Sequence, residues 1–158
     1  MGWVVAERES AVLAERLITQ TCAKQGIVEG QLTLHADRGS SMKSKLVAQL
    51  LADLGVIKSH SRPHTSDDNP FSEAHFKTFK YRPEYPGRFL DLGAAERHSQ
   101  SFFNWYNCDH KHAGIAMLTP HAVHYGLADG LLAERQLILD QAFAAHPERF
   151  KHTAPTVT

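Results

Sequence analysis

The chain lacks an excess of charge of either sign. Seventeen lysines and arginines balance seventeen aspartates and glutamates across 158 residues. That balance argues against a wholly electrostatic nucleic-acid binder, which would be a basic domain. Any contact with nucleic acid must rest on local patches or on other parts of a protein. Cysteine is scarce: Cys22 and Cys108 stand far apart and form no metal-type pair. The simplest reading is two reduced thiols in a cytoplasmic protein. No apolar run approaches the roughly 18 residues of a membrane span. Residues Met1 to Arg8 lack the signal-peptide order of charge, apolar stretch and cleavage site. Internal repeats and low-complexity tracts are also missing. What remains is an ordinary globular mix, 42% hydrophobic and 22% charged, of a length that favours one core.

The pattern of residues predicts alternating strands and helices, hence an α/β fold. Trp3 to Ala6 looks like the end of a strand. Ser10 can cap a helix running to about Gln25, with Gly26 as its stop and Leu13, Leu17 and Ile18 as its buried stripe. Leu32 to Ala36 alternates apolar and polar, the period of a half-buried strand. Leu46, Val47, Leu50, Leu51 and Leu54 mark an amphipathic helix ended by Gly55. A short strand then starts at Val56-Ile57 and breaks at Arg62-Pro63. Asn69 as N-cap and Pro70 at the first position open a helix to about Tyr81. A Pro-rich loop, a helix from about Leu92 to Asn107 and a His-rich loop over 108–126 follow. A last helix, about Ala128 to Ala145, carries a Leu-rich stripe that reads as core rather than as a dimer zipper. The expected organisation is a core over residues 1–126, then a C-terminal helix and polar tail over 127–158.

Two carboxylates stand in suggestive settings. Asp37 ends the alternating run Leu32-Thr33-Leu34-His35-Ala36 and precedes Arg38-Gly39-Ser40. It shares a strand face with Thr33 and His35, at the strand end where open α/β sheets place ligands. Glu73 lies 36 positions later, one turn into the helix opened by Asn69-Pro70, with Lys77 and Lys80 following. At 100° per residue, Glu73, Lys77 and Lys80 span about 60° of one face. A carboxylate with two lysines beyond it suits a metal ion plus phosphate oxygens. Phosphoryl transfer on DNA uses carboxylates that hold two divalent cations about 3.5–4 Å apart, and hard oxygen donors select Mg²⁺ or Mn²⁺ over zinc. The bland reading is a surface i,i+4 pair and a turn aspartate.

The joint context resembles a known family. His35-Ala36-Asp37-Arg38-Gly39-Ser40 and Ser66-Asp67-Asp68-Asn69-Pro70-Phe71-Ser72-Glu73, continuing through Lys77 to Lys80, are similar to the DDE catalytic core of transposases and retroviral integrases. The nearest likeness is to insertion-sequence transposases encoded by a second, frameshift-fused reading frame. Trp105-Tyr106-Asn107 and Leu118-Thr119-Pro120 look like that family's later motifs. The resemblance runs from about Trp3 to Gly126. It implies a ribonuclease H-like integrase core followed by C-terminal helices. Asp37 and Glu73 would be the second and third members of a carboxylate triad binding Mg²⁺ or Mn²⁺. Lys77, Lys80 and Arg82 would lie against DNA, and the partners would be transposon ends and target DNA. The first aspartate of the triad has no counterpart, because no aspartate precedes Asp37. By comparison with the family, the first strands and the N-terminal DNA-recognition helices are missing. The expectation is an N-terminally truncated transposase, inactive alone, that self-associates or associates with full-length transposase. Two other readings stay open: a non-catalytic remnant that inhibits intact transposase, and a stand-alone metal-dependent phosphoesterase using only Asp37 and Glu73.

Other residues read more simply in plainer roles. Asp109-His110-Lys111-His112 and His121-x-x-His124 are the densest histidine groups, but zinc needs four ordered N/S ligands, so exposed or hydrogen-bonded loop histidines are favoured. His75 is read as packing toward Phe71 and Phe79. Asp67 and Asp68 are read as satisfying the helix N-terminus. Arg82 and Arg88 either extend the basic surface or belong to a solvated loop.

Overall fold

The computed structural model describes residues 2–36, 39–62, 68, 70–150 and 153–157. It divides into two compact units, Met1–Ser99 and Gln100–Thr158.

In the first unit, α1 (Ala11–Gln25) begins where the Ser10 hydroxyl accepts the Leu13 N–H at 3.2 Å. It ends where Gly26 turns left-handed at φ 61°, a conformation that costs a residue with a Cβ. Strand β1 (Thr33–Ala36) and strand β2 (Ile57–His60) pair in parallel, Thr33 opposite Ile57 and Ala36 opposite His60. Between them runs α2 (Lys45–Asp53), capped by Ser44 and followed by Gly55 at φ 60°. Parallel strands need such a crossover, so these three elements form a βαβ unit. The core sits where α1 and α2 meet this sheet. Cys22, Val47, Leu51 and Val56 are buried there, with Ile18, Leu32 and Leu34 packed against them. The second segment, α3 (Pro70–Lys80), buries none of its residues completely. Its inner side meets the Pro-rich loop and the start of α4 (Leu92–Cys108), where Phe79, Tyr85, Phe89 and His98 form a ring cluster with centroids 5.3–5.8 Å apart.

One predicted strand is not formed. Residues 2–6 carry no regular secondary structure. Val4 and Ala6 instead line a shallow apolar cavity with Leu13, Leu17 and Met42. An apolar run makes a strand only when a neighbour takes its N–H and C=O groups. Here the apolar side chains are satisfied by helix α1 without a ladder.

In the second unit, Phe102, Leu118, Thr119 and Ala122 are buried. The stretch expected as loop holds more structure. The Thr119 hydroxyl accepts the Ala122 N–H at 3.2 Å and opens a short α5 (Pro120–His124), with Pro120 at its start. The Thr-Pro pair was the available signal for it. Ahead of α5, Ala116 and Met117 both take positive φ, 55° and 54°. The Arg135 guanidinium donates to their carbonyls at 2.6 and 3.0 Å, which holds this turn. Arg135 belongs to α6 (Ala128–Ala145), the helix the sequence places at the same bounds. Its Leu-rich stripe is not core, however: no residue of α6 is buried, and Leu137 and Ile138 are 59% and 63% exposed. The polar tail returns to α6, where the Gln136 amide donates to the Pro155 carbonyl at 3.0 Å and accepts the Val157 N–H at 2.9 Å.

Candidate nucleic-acid interface

The end of β1 is pinned by its neighbour. The Ala36 carbonyl accepts the Ser61 N–H at 3.2 Å, and His60 Nδ1 lies 3.3 Å from the same oxygen. As the alternation predicts, Thr33 and His35 point outward. His35 is held on both ring nitrogens: Nδ1 lies 2.7 Å from the Ser59 hydroxyl and Nε2 3.3 Å from that of Ser61. Asp37 and Arg38 follow directly and lie outside the described residues. The histidine clamp was not foreseen. It depends on the register that sets His35 opposite Ser59, and one strand alone does not reveal its partner.

Next along the chain, Arg62 and Asp68 pair with each other. Asp68 accepts the Arg62 backbone N–H at 2.7 Å and the guanidinium at 2.8 and 2.9 Å. The guanidinium first, then that backbone N–H, pull the Asp68 carboxyl down from 3.8 to about 2. Asp68, expected at the helix N-terminus, has in addition a two-pronged, charge-assisted partner in Arg62. Asp67 and the expected cap Asn69 lie outside the described residues.

Glu73 sits in the first turn of α3 and is exposed, as are Lys77 and Lys80 in its last turns. The plain surface pair Glu73–Lys77 is not formed. Among the described residues the ion pairs are Arg62–Asp68, Arg82–Glu84 and His146–Glu148. Arg82, the third expected DNA contact, is held by Glu84 at 3.0 Å. His75 is half-buried and lies against Phe76, centroids 6.3 Å apart, while Phe71 is 89% exposed. The histidine-rich stretch builds ring contacts instead, Trp105–His110 and His110–His112 each at 4.5 Å. Among the described residues no three His, Cys, Asp or Glu side chains converge on one point. The donors that remain for a metal are carboxylates, and Glu73 offers hard oxygens that its lysine neighbours leave unpaired. That chemistry fits Mg²⁺ or Mn²⁺.

Two family models, both described as integrase core domain, match residues 1–66 and 54–120. Each match covers less than half of the chain, and in both stretches the chain is similar to an integrase core. Solved structures agree on the fold. The catalytic core domain of BIV integrase superposes with a TM-score of 0.59 at 20% identity, covering 80% of this chain and 78% of that one. A chain of the simian T-cell lymphotropic virus intasome, solved in complex with the PP2A regulatory subunit B56 gamma, gives 0.56 at 14% identity, covering 75% of this chain and 41% of that one. A search of curated proteins finds no match. The expected ribonuclease H-like α/β fold of an integrase core is therefore correct. The family matches run continuously through β1, β2 and α3, the elements that carry or adjoin Asp37 and Glu73. No helix among the described residues is long and apolar enough to cross a membrane.

Proposed function

We propose that this chain takes part in DNA cleavage and strand transfer during transposition, as the metal- and phosphate-binding part of an insertion-sequence transposase. The observation that carries the reading is the pair of integrase-core matches, over residues 1–66 and 54–120, with Glu73 and two unpaired lysines on one exposed face of α3. Asp37 and Glu73 would hold Mg²⁺ or Mn²⁺, which when bound polarises a DNA phosphate and lowers the pKa of an attacking hydroxyl or water. Lys77 and Lys80 would neutralise phosphate oxygens and fix the strand. Arg82 would join them only after leaving Glu84. The pinned end of β1 would keep Asp37 from swinging away from the metal.

The core region would extend over residues 1–126, with the C-terminal helix and tail beyond it. Within these residues the carboxylate set is incomplete. Residues 1–36 hold no aspartate, and their glutamates at 7, 9, 15 and 29 lie on no strand. These 158 residues alone would therefore bind metal and DNA without joining strands. A gel assay with oligonucleotide ends, target DNA and Mg²⁺ should show no product above that of Asp37→Asn. Manganese broadening of NMR signals near β1 and α3 should be present, and weakened by Asp37→Asn and by Glu73→Gln. Robust strand transfer lost in Asp37→Asn would overturn the incompleteness. Unchanged manganese broadening in both variants would overturn the site.

A second reading, association with intact transposase into inactive mixed assemblies, is favoured by the exposed Leu137 and Ile138 on α6. Its mark would be co-elution with the intact protein and loss of that protein's activity.

A further inference from the structure

Helix α6 uses one side and leaves the other open. Its inner side holds Leu132, Arg135, Gln136, Leu139 and Phe143, all half-buried. Arg135 is tied to the carbonyls of Ala116 and Met117, Gln136 holds the tail, and Phe143 lies edge-on to Phe150 with centroids 5.5 Å apart. On the outer side Leu127, Leu131, Glu134, Ile138, Gln141 and Ala145 follow one another at alternating steps of four and three residues. At 100° per residue they lie within about 80° of arc. Leu127 shares the helical register, since its carbonyl accepts the Leu131 N–H at 3.2 Å. All six are exposed, Leu127 at 50%, Leu131 at 36% and Ile138 at 63%.

Alternating steps of four and three make the seam of a coiled coil, whose side chains fit between those of a facing helix. The chemistry of this seam says what the facing helix carries. Leu127, Leu131, Ile138 and Ala145 call for apolar side chains. Glu134 sits among them, and a carboxylate enclosed by a partner's apolar side chains is costly unless a cation meets it. Helix α6 supplies none: Arg135, its one basic residue, is turned to the Ala116 and Met117 carbonyls. Among the described residues Glu134 forms no ion pair. A second copy does not resolve this. Parallel pairing sets Glu134 against Glu134, and antiparallel pairing sets it against an apolar residue such as Ile138. We infer that the outer seam of α6 docks an amphipathic helix of a different protein, apolar along its own seam and with a lysine or arginine facing Glu134. This goes beyond the DNA-joining reading and does not depend on it.

Fluorescence anisotropy of the 158-residue chain tests it with two labelled synthetic helices of about three heptads. Both carry leucine at every seam position except one central position, which is lysine in one helix and glutamate in the other. The lysine helix should bind, and the glutamate helix should bind about tenfold or more weakly. Glu134→Lys should reverse that preference, a result that a folding defect cannot imitate. Ile138→Asp should weaken the lysine complex about tenfold or more. Ala133→Asp, exposed on α6 but off the seam, should leave it unchanged. Equal binding of the two helices overturns the inference, as does binding of neither, or a preference that Glu134→Lys fails to reverse. Dimerisation of the chain alone in analytical ultracentrifugation, lost in Ile138→Asp, overturns it in favour of a second copy.

Discussion

Asp68 and Arg62 show how one contact settles the role of a residue. In sequence Asp68 is one of two acids before a helix; in the fold it is the partner of Arg62. Its carboxyl, held at about 2 instead of 3.8 by the Arg62 guanidinium and backbone N–H, is an acid whose folded pKa lies below its unfolded one. Its contribution to stability is complete above about pH 4 and is lost as pH falls through about 2. An NMR titration of the Asp68 carboxyl carbon should find its midpoint near 2. Arg62→Ala should return that midpoint toward the ordinary value. A midpoint unmoved by Arg62→Ala would mean that the pair does not form. Both partners touch solvent, so the shift should shrink at high salt.

At the scale of elements, the molecule separates helices that build the core from helices that decorate it. Leu51 of α2 is 2% exposed in the cluster under β1 and β2, whereas Ile138 of α6 is 63% exposed. Leu51→Ala should cost about 2–5 kcal/mol, because a cavity opens where no neighbour can collapse. Ile138→Ala should change stability by less than about 0.5 kcal/mol. Urea denaturation of the two variants distinguishes these outcomes, and equal losses would refute the assignment. The reason α2 and α6 differ was only half legible. Both carry leucines at helical spacing, and both appear within a residue or two of the predicted bounds. Caps and glycine stops are local, so Ser10, Gly26 and Gly55 disclosed where helices begin and end. Burial depends on what lies opposite, and nothing in residues 128–145 says that no partner covers them here. Trp3 to Ala6 failed for a related reason: an apolar run does not declare whether a strand or a helix will receive it.

For the whole molecule, the charge balance limits how DNA can be held. With no net charge, binding would rest on the few cations gathered on α3. Two lysines on phosphates give a slope of about −2 when the logarithm of the DNA association constant is plotted against that of salt concentration. A titration across salt concentrations should return that shallow slope. A slope several times steeper would place the interface on a wider basic surface than Lys77 and Lys80. The candidate site was partly readable. The positions of Asp37 and Glu73 and the lysine spacing on α3 follow from sequence. That Glu73 and Lys77 stay unpaired, and that Arg82 is taken by Glu84, do not, because an ion pair is chosen among competing rotamers in three dimensions.

The sequence by itself determined the α/β character, the helix limits, the shared face of Glu73, Lys77 and Lys80, and the likeness to an integrase core. All of these depend on residues within a few positions of one another or on motif order along the chain. Tertiary structure alone decided that His35 is clamped by Ser59 and Ser61, that Asp68 belongs to Arg62, and that Phe76 and Tyr81 face solvent while Phe79 is packed. Those outcomes turn on strand register and on which surfaces meet. Both are fixed by the packing of distant segments, which local spacing does not encode.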